Sequence, residues 1–441
     1  MKRDRRGAAA ARGRTSSGRD GKQATTGPGK GPSHVLAHGT CLVLLACGVL
    51  LRFWHFPVAV YTPDEDAYVN FYAVPMLQQG PGHLPTLVGD YNGRPEMHSF
   101  PSPTRVGHLW LMVGTMLVLD DASVRAAAAL STLASVLILG LIWVMGAAFL
   151  HPWVAAMALL FAVVSPMDLA MARRAWGDEL FALFALAVTW TFLLCAQAPR
   201  RSRWAVACFA LAGYAILVKE TGLLLLGLAT IGLAIVAGRR RGLRAAGLML
   251  AGGGATLLLT CTMWVFSVGG WEPLGTAFTR LGDAAKVNEY VRKYQSGGPE
   301  YYARGLGRLQ PAPMTLGLLA AALVVSRFRF LRRPLWSDAG DMTVATLAYL
   351  VIVYAAVALI YPQKNLRFLS PIYAPLDLLA AGLLWGGFSH VRARVRSAVY
   401  RRIAAAMGLG LAVLAAADHQ RFVTYFVQRQ VPDLATPWFT R

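Results

Sequence analysis

The sequence predicts an all-α, polytopic membrane protein of about 11 transmembrane helices, with interfacial helices in a long first outer loop. Three observations predict it. Of 441 residues, 56% are hydrophobic and only 15% are charged, against roughly 25% charged in ordinary soluble domains, and the mean hydropathy is +0.46. Apolar runs recur that approach the roughly 20 residues needed to cross a hydrocarbon core. The formal net charge of +21 sits almost wholly in the N-terminal 33 residues and four short loops, which hold 25 of the 43 Lys and Arg but only 2 of the 22 Asp and Glu. Such a distribution is an orientation signal and not a nucleic-acid footprint.

Taken in order, residues 1–34 read as a disordered basic cytoplasmic tail, rich in Gly, Ser and Thr and almost free of large apolar side chains. The apolar run 35–60 is too long for a signal-peptide core, so it is expected to stay as the first membrane helix. Loops 199–203, 239–244, 327–333 and 392–402 are basic without an acidic residue, which places them on the cytoplasmic side. Between cytoplasmic loops the number of crossings is even. Residues 204–238 therefore form a hairpin turning at 219–222, residues 245–326 a hairpin with a polar outer stretch, and residues 342–390 a hairpin turning at 361–368.

Upstream, the same parity makes 35–60, 122–150, 152–167 and 179–197 spans and lays 106–119 on the outer face as an interfacial helix. The last span lies near 403–417. This gives a membrane domain over 35–417, a first outer loop at 61–121, a long outer loop at 269–312 and a C-terminal outer tail at 418–441.

Several function classes drop out. The five cysteines lie in apolar stretches with no CxxC pair, and neither HExxH, a Walker A loop nor a dinucleotide fingerprint occurs. His34 and His38 have ligand spacing but no third ligand nearby, and read as interfacial histidines. No 20–50-residue repeat is present. Gly382 and Gly386 form a GxxxG that predicts close approach of two helices.

The remaining polar residues gather on the outer side. Thr62-Pro63-Asp64-Glu65-Asp66 puts three carboxylates directly after the first span. Glu65 fits the returning acid of a capping box, while Asp64 or Asp66 is placed to act as a general base at the membrane surface. The helix they open runs to about Gln79, with Tyr68 on it and a kink expected at Pro75.

In the second outer turn, Arg173 and Arg174 break the positive-inside pattern. That calls for an anionic partner, either Asp178 or a lipid phosphate. Lys219 and Glu220 at a hairpin apex are either a functional pair within the membrane's depth or a mutual neutralisation. Lys364 and Arg367 occupy the 361–368 turn. Tyr301 and Tyr302 belong to a cation-and-aromatic outer segment suited to sugar stacking or lipid headgroups.

Motifs in a fixed order then suggest a family. Pro63-Asp64-Glu65-x-x-Tyr68 followed by Gly80, the SPTRVGHLW segment, Arg174-x-x-x-Asp178, GYAILVKETG and LRFLSPIYAPL resemble the GT-C membrane glycosyltransferases, in particular the protein O-mannosyltransferase and lipid A aminoarabinose transferase group. The resemblance covers about residues 35–390. It implies transfer of a sugar from a polyprenyl-phosphate donor to a lipid, glycan or protein acceptor on the outer face of the cytoplasmic membrane.

It also makes Asp64 the catalytic carboxylate and Asp178 the second-loop Asp, with Asp66 kept as an alternative base. Lys219 and Arg367 become donor-phosphate contacts, joined by Arg173, Arg174 and Lys364, and Glu65, Tyr68, Glu220, Tyr301 and Tyr302 become substrate contacts. Where that group commonly has Lys-Pro-Pro, SFPSPTR stands here, so Arg105 or His98 is expected to supply the cation. The group generally works without a metal, although a divalent ion at Asp64, Asp66 and Asp178 stays open. The rival reading is a secondary transporter using the Lys219/Glu220 pair. The absent repeat and the odd span count speak against it.

Overall fold

The computed structural model describes residues 32–54, 56, 61–198, 202–331 and 339–440. The basic tail up to residue 31, the far end of the first predicted span at 57–60, and parts of the 199–203 and 327–333 loops lie outside the described residues. Among those described there is no strand.

Twelve apolar helices make the body. In chain order they are α1 (Pro32–Phe53), α2 (Val106–Leu119), α3 (Val124–Met145), α4 (Pro152–Val164), α5 (Gly177–Gln197), α6 (Ser202–Val218), α7 (Gly222–Arg241), α8 (Leu243–Ser267), α9 (Pro311–Leu331), α10 (Ala339–Ile360), α11 (Ser370–Arg394) and α12 (Ser397–Phe422). Eight of these segments are long and apolar enough to span a bilayer, while α2, α4, α6 and α9 are shorter. The protein is a multi-pass, all-α membrane protein.

The helices form layers around two of their number. In the most apolar windows of α5 and of the segment containing α11, 72% of residues are buried, against none in that of α12. α5 and α11 pack on each other, α11 also on α4 and α5 also on α3 and α6, so the bundle centre is built from the helices whose first turns carry Asp178 and follow Arg367. α12 instead faces outward along most of its length, touching α11 near its start through Tyr400 on Phe388 and entering the bundle at its far end, where Phe422 is 1% exposed.

The hairpins 204–238, 245–326 and 342–390 have helices where the charge pattern puts them. Gly382 and Gly386 differ from expectation: a Cβ at either would meet nothing within 4 Å. The close helix approach is made instead by Gly317 of α9, where a Cβ would lie 2.7 Å from the Leu376 carbonyl oxygen of α11. Both helices run through the bundle, whereas the predicted pair lies on a face turned away from any neighbour.

The segments expected on the outer face are folded. Residues 63–66 start a helix whose 67–73 portion is wound with a π pitch, the Val74 N–H reaching back to the Val69 carbonyl. Pro75 explains this, since a proline ring collides with the carbonyl four residues back and supplies no donor. Widening the turn relieves both faults. In the long outer segment, helices 271–287, 289–294 and 300–309 lie against the first outer loop and the C-terminal residues.

Candidate active site

Neighbouring helical residues point about 100° apart, so the three consecutive acids cannot share a task. Glu65 turns inward and is fully buried. Its Oε2 accepts from the Thr62 N–H at 2.8 Å, completing the predicted capping box. The same oxygen takes Arg174 Nη1 at 2.9 Å, and Oε1 takes the Ala175 N–H at 3.0 Å. Trp176 Nε1 donates to Thr62 Oγ1 at 3.2 Å. These bonds lock the 173–176 turn onto the first outer loop. Asp66 points to solvent and binds Asn70 Nδ2 at 2.6 Å.

Asp64 faces the turn that carries Arg367. Its Oδ2 lies 2.6 Å from Arg367 Nη2, and Arg367 Nε faces Asp178 Oδ2 at 3.8 Å. Asp178 Oδ1 in turn holds Lys219 Nζ at 2.5 Å. The result is a row of alternating charge, Asp64, Arg367, Asp178, Lys219, drawn from four separate segments. The aromatic rings of Trp176 and Phe368 shield it, at 4.9 Å from the Arg367 guanidinium carbon and from Lys219 Nζ respectively. Arg367 Nε itself makes no hydrogen bond among the described residues.

Beside this row, Arg105 forms a two-pronged pair with Glu220 at 2.9 and 3.2 Å and donates to the Tyr68 hydroxyl at 2.8 Å. Burial opposes the charge on Glu220, but Arg105 and Lys219 outweigh it and hold the carboxyl below its usual range. Burial pushes the Tyr68 phenol up to about 12 against the pull of Arg105, so it stays a neutral hydroxyl. Lys219 is lowered by burial, an effect that Asp178 only partly offsets.

These groups border a 410 Å³ cavity at one end of the bundle. One wall is Asp64, Tyr68, Arg105, Asp178 and Arg367; the other is Asn288, Tyr290, Gln295, Gln363 and Asp433. Phe100, Trp176 and Phe368 supply apolar surface. Two cations among the charged groups of one wall, and amides, an aromatic face and the Asp433 carboxylate on the other, suit a ligand that is both anionic and polyhydroxylated.

The structure therefore joins Asp64, Asp178, Arg367, Arg105 and Tyr68 at the cavity, with Lys219 and Glu220 directly behind them. Lys219 and Glu220 do not neutralise each other; each pairs with a different partner. Arg174 pairs with Glu65 and not with Asp178. Arg173 lies over the Phe422 ring at 4.7 Å and donates to the Leu169 carbonyl at 3.3 Å. Lys364 Nζ caps the end of α10, with the carbonyls of Ala358 and Leu359 at 2.9 and 2.7 Å.

Tyr301 and Tyr302 are buried, and the Tyr301 hydroxyl accepts from the Thr436 N–H at 3.0 Å. His98 lines the cavity, its Nε2 2.9 Å from the Tyr91 carbonyl. Sequence reasoning missed Trp176, Gln295, Gln363 and Asp433. Of these only Trp176, inside the ARRAWGD run, had a signal beside it. Among the described residues no three His, Cys, Asp or Glu side chains come together as a metal ion would require.

Residues 103–266 match the family model for dolichyl-phosphate-mannose-protein mannosyltransferase. Over the whole chain the solved structures decide the architecture. ArnT from Cupriavidus metallidurans in the apo state is 19% identical, with 88% of this chain and 75% of that one covered at a TM-score of 0.53. The chain has the GT-C fold.

A second structure of ArnT, bound to undecaprenyl phosphate, gives 20% identity, coverage of 88% and 74%, and a TM-score of 0.52. The Archaeoglobus fulgidus oligosaccharyltransferase in the apo form gives 14% identity and a TM-score of 0.55, with 87% of this chain but only 56% of that one covered. No curated protein matches the sequence significantly. The matched family segment includes Arg105, Asp178, Lys219 and Glu220. Asp64 and Arg367, the other half of the charged row, come from parts of the GT-C fold outside it.

Proposed function

We propose that this protein is a glycosyltransferase that moves a sugar from a polyprenyl-phosphate donor to an acceptor hydroxyl or amine on the outer face of the cytoplasmic membrane, with inversion at the anomeric carbon. The observation that carries the proposal is the row Asp64, Arg367, Asp178, Lys219 at the wall of a cavity in a GT-C bundle. An ArnT structure holding undecaprenyl phosphate and an archaeal AglB structure holding dolichol-phosphate support the choice of donor.

Asp64 is the general base. It takes the proton from the acceptor as the acceptor oxygen or nitrogen bonds to the anomeric carbon, and the bond from that carbon to the phosphate oxygen breaks. The electron pair leaves with the phosphate, whose growing charge Arg367 stabilises with Lys219 behind it. Arg367 lies 2.6 Å from Asp64. A donor phosphate competes for that guanidinium, and its arrival frees the base for the acceptor.

Tyr68, a neutral hydroxyl fixed by Arg105, supplies a hydrogen bond to the sugar or the phosphate. The transporter reading loses its central feature, since Lys219 and Glu220 are tied to separate partners.

The test is to supply purified protein in liposomes with radiolabelled polyprenyl-phosphate sugars and native membranes, and to follow label into lipid, glycan or protein. Asp64→Asn is expected to lower transfer by about 10²–10⁴-fold, the contribution of a positioned base, with unchanged membrane insertion and Tm. Product of retained configuration, or an active Asp64→Asn protein, would overturn the scheme.

A further inference from the structure

Arg367 sits on a short turn between α10 and α11 that has little of its own to hold it. Residues 361–365 are not helical, and the 366–369 turn is a single loop of 3₁₀ helix. What fixes it comes from elsewhere in the chain. After α12 the backbone reverses at Gln430, which has a left-handed φ of 49°, and returns across the outer face to the cavity wall.

There Asp433, 6% exposed, accepts from Asn365 Nδ2 at 3.1 Å to both of its oxygens. It accepts further from Gln295 Nε2 at 2.9 Å, Tyr290 Oη at 3.1 Å and the Leu434 N–H at 2.7 Å. Asn365 is fully buried, and its own Oδ1 accepts from the Arg367 N–H at 3.1 Å. Two backbone bonds clamp the same turn from opposite sides, Leu366 N–H to the Leu434 carbonyl at 3.1 Å and Lys364 N–H to the Gln295 carbonyl at 2.6 Å.

We infer that Asp433 is a positioning residue of the transferase proposed above. Acting through Asn365, it sets the turn that aims Arg367 between Asp64 and Asp178, so the C-terminal segment completes the active site. The chemistry fits the task. An Asn side chain has one acceptor and two donors and can rotate. With a carboxylate taking its amide, the Asn365 carbonyl is left aimed at Arg367. A buried carboxylate supplied with this many donors is rigid as well as anionic, and a group misplaced by about 1 Å can cost about 10²-fold in rate. This inference rests on the reading of Arg367 as the phosphate-stabilising cation.

A plain electrostatic role predicts a different sign. Asp433 is an anion close to a site for an anionic donor, so removing its charge alone would tighten donor binding. The test uses the full-length protein in liposomes, with wild type, Asp433→Asn and Asn365→Ala compared for kcat and donor KM on a panel of undecaprenyl-phosphate monosaccharides. Hydrogen–deuterium exchange across the chain accompanies the kinetics.

Positioning predicts a fall in kcat of about 10- to 100-fold, a KM within about threefold, and faster exchange confined to 361–369 and the C-terminal segment in both variants. Lower KM with kcat unchanged assigns Asp433 a purely electrostatic effect and overturns the proposal. Exchange that rises throughout the bundle, with loss of Tm, makes it a general fold residue and also overturns it. If wild type transfers no sugar from any donor, the proposed function fails instead. Exchange at 361–369 then decides the clamp by itself: unchanged protection in Asp433→Asn removes it, and a local loss keeps it.

Discussion

Asp178 and Glu179 are neighbours in the first turn of α5 and are both buried, yet they belong to two different charge clusters. Asp178 faces outward to the cavity, with Lys219 at 2.5 Å and Arg367 at 3.8 Å. Glu179 faces into the bundle with Arg52 and Asp168, and Asp168 in turn neighbours Asp377. There the fully buried Arg52 donates to Ser135 Oγ at 2.7 Å and to the Gly48 carbonyl at 3.1 Å, Ser135 also stands beside Glu179, and both oxygens of Asp377 make no hydrogen bond among the described residues. The outer cluster has alternating charge and borders a 410 Å³ cavity; the inner one is mostly acidic and lines none of it. Buried charge alone is therefore not the mark of the site. What sets the outer cluster apart is charge that is paired and that borders a cavity.

The sharpest way to break this contrast is to remove the pair that closes the outer row. Asp178→Asn leaves Lys219 buried without a counter-charge, which costs about 3–5 kcal/mol for a pair of this kind. On the proposed function it also displaces the cations that stabilise the donor phosphate, with transfer expected to fall by about 10²–10³-fold. The double variant Asp178→Asn/Lys219→Met removes both charges together. Its Tm is expected to return most of the way to wild type while transfer stays low. If the double variant recovers activity along with stability, the pair is scaffold only and the outer cluster differs from the inner one in nothing but exposure.

The architecture was legible because membrane crossings leave a coarse signature in the sequence. Loop charge and parity located the hairpins turning at 219–222 and 361–368, and both turns are where the helices end. The capping box at 62–65 was legible for a similar reason, since all its bonds run between residues three apart. Partnerships between distant segments carried no such signal. Nothing local in the sequence says that Glu65 takes Arg174, that Lys219 prefers Asp178 to the adjacent Glu220, or that Lys364 turns back onto the carbonyls of α10. Asp433 was invisible for the plainest reason: a lone Asp in a short tail becomes a wall of the cavity only after the chain has doubled back at Gln430.

A pH series sharpens the outer side further. Arg105 and Lys219 hold the Glu220 carboxyl below its usual range against the effect of burial. An unfolded glutamate titrates near pH 4.3. Below that the unfolded chain binds the proton first, so stability falls as pH falls. The stabilisation from this group is complete above about pH 4.3 and is lost as pH drops toward the folded value. Wild-type Tm in detergent should therefore decline more steeply below about pH 4.3 than that of Glu220→Gln, with the two curves parallel between pH 6 and 8. Equal slopes in acid would move the acid sensitivity to another carboxylate and reduce the Arg105–Glu220 pair to a passive contact.

The smallest effect is expected on the inner side, and it is the one that gives the comparison its meaning. Asp377 lies in the second turn of α11, fully buried, with no hydrogen-bond partner for either oxygen among the described residues and with Asp168 and Asp418 as its charged neighbours. Asp377→Asn conserves its size. Removing a partner from a buried hydrogen bond is costly because it strands the other member, but here no other member exists to strand. The substitution also ends any repulsion among three acids. Tm is expected to hold or rise, by an amount worth no more than about 1 kcal/mol, and transfer to stay within about twofold of wild type. Two buried carboxylates, Asp178 on α5 and Asp377 on α11, would then differ by about two orders of magnitude in what they contribute to catalysis, a difference set by their partners and not by their depth. A large loss of transfer in Asp377→Asn with normal Tm would show that the two clusters act as one electrostatic unit, and the boundary drawn between Asp178 and Glu179 would have to go.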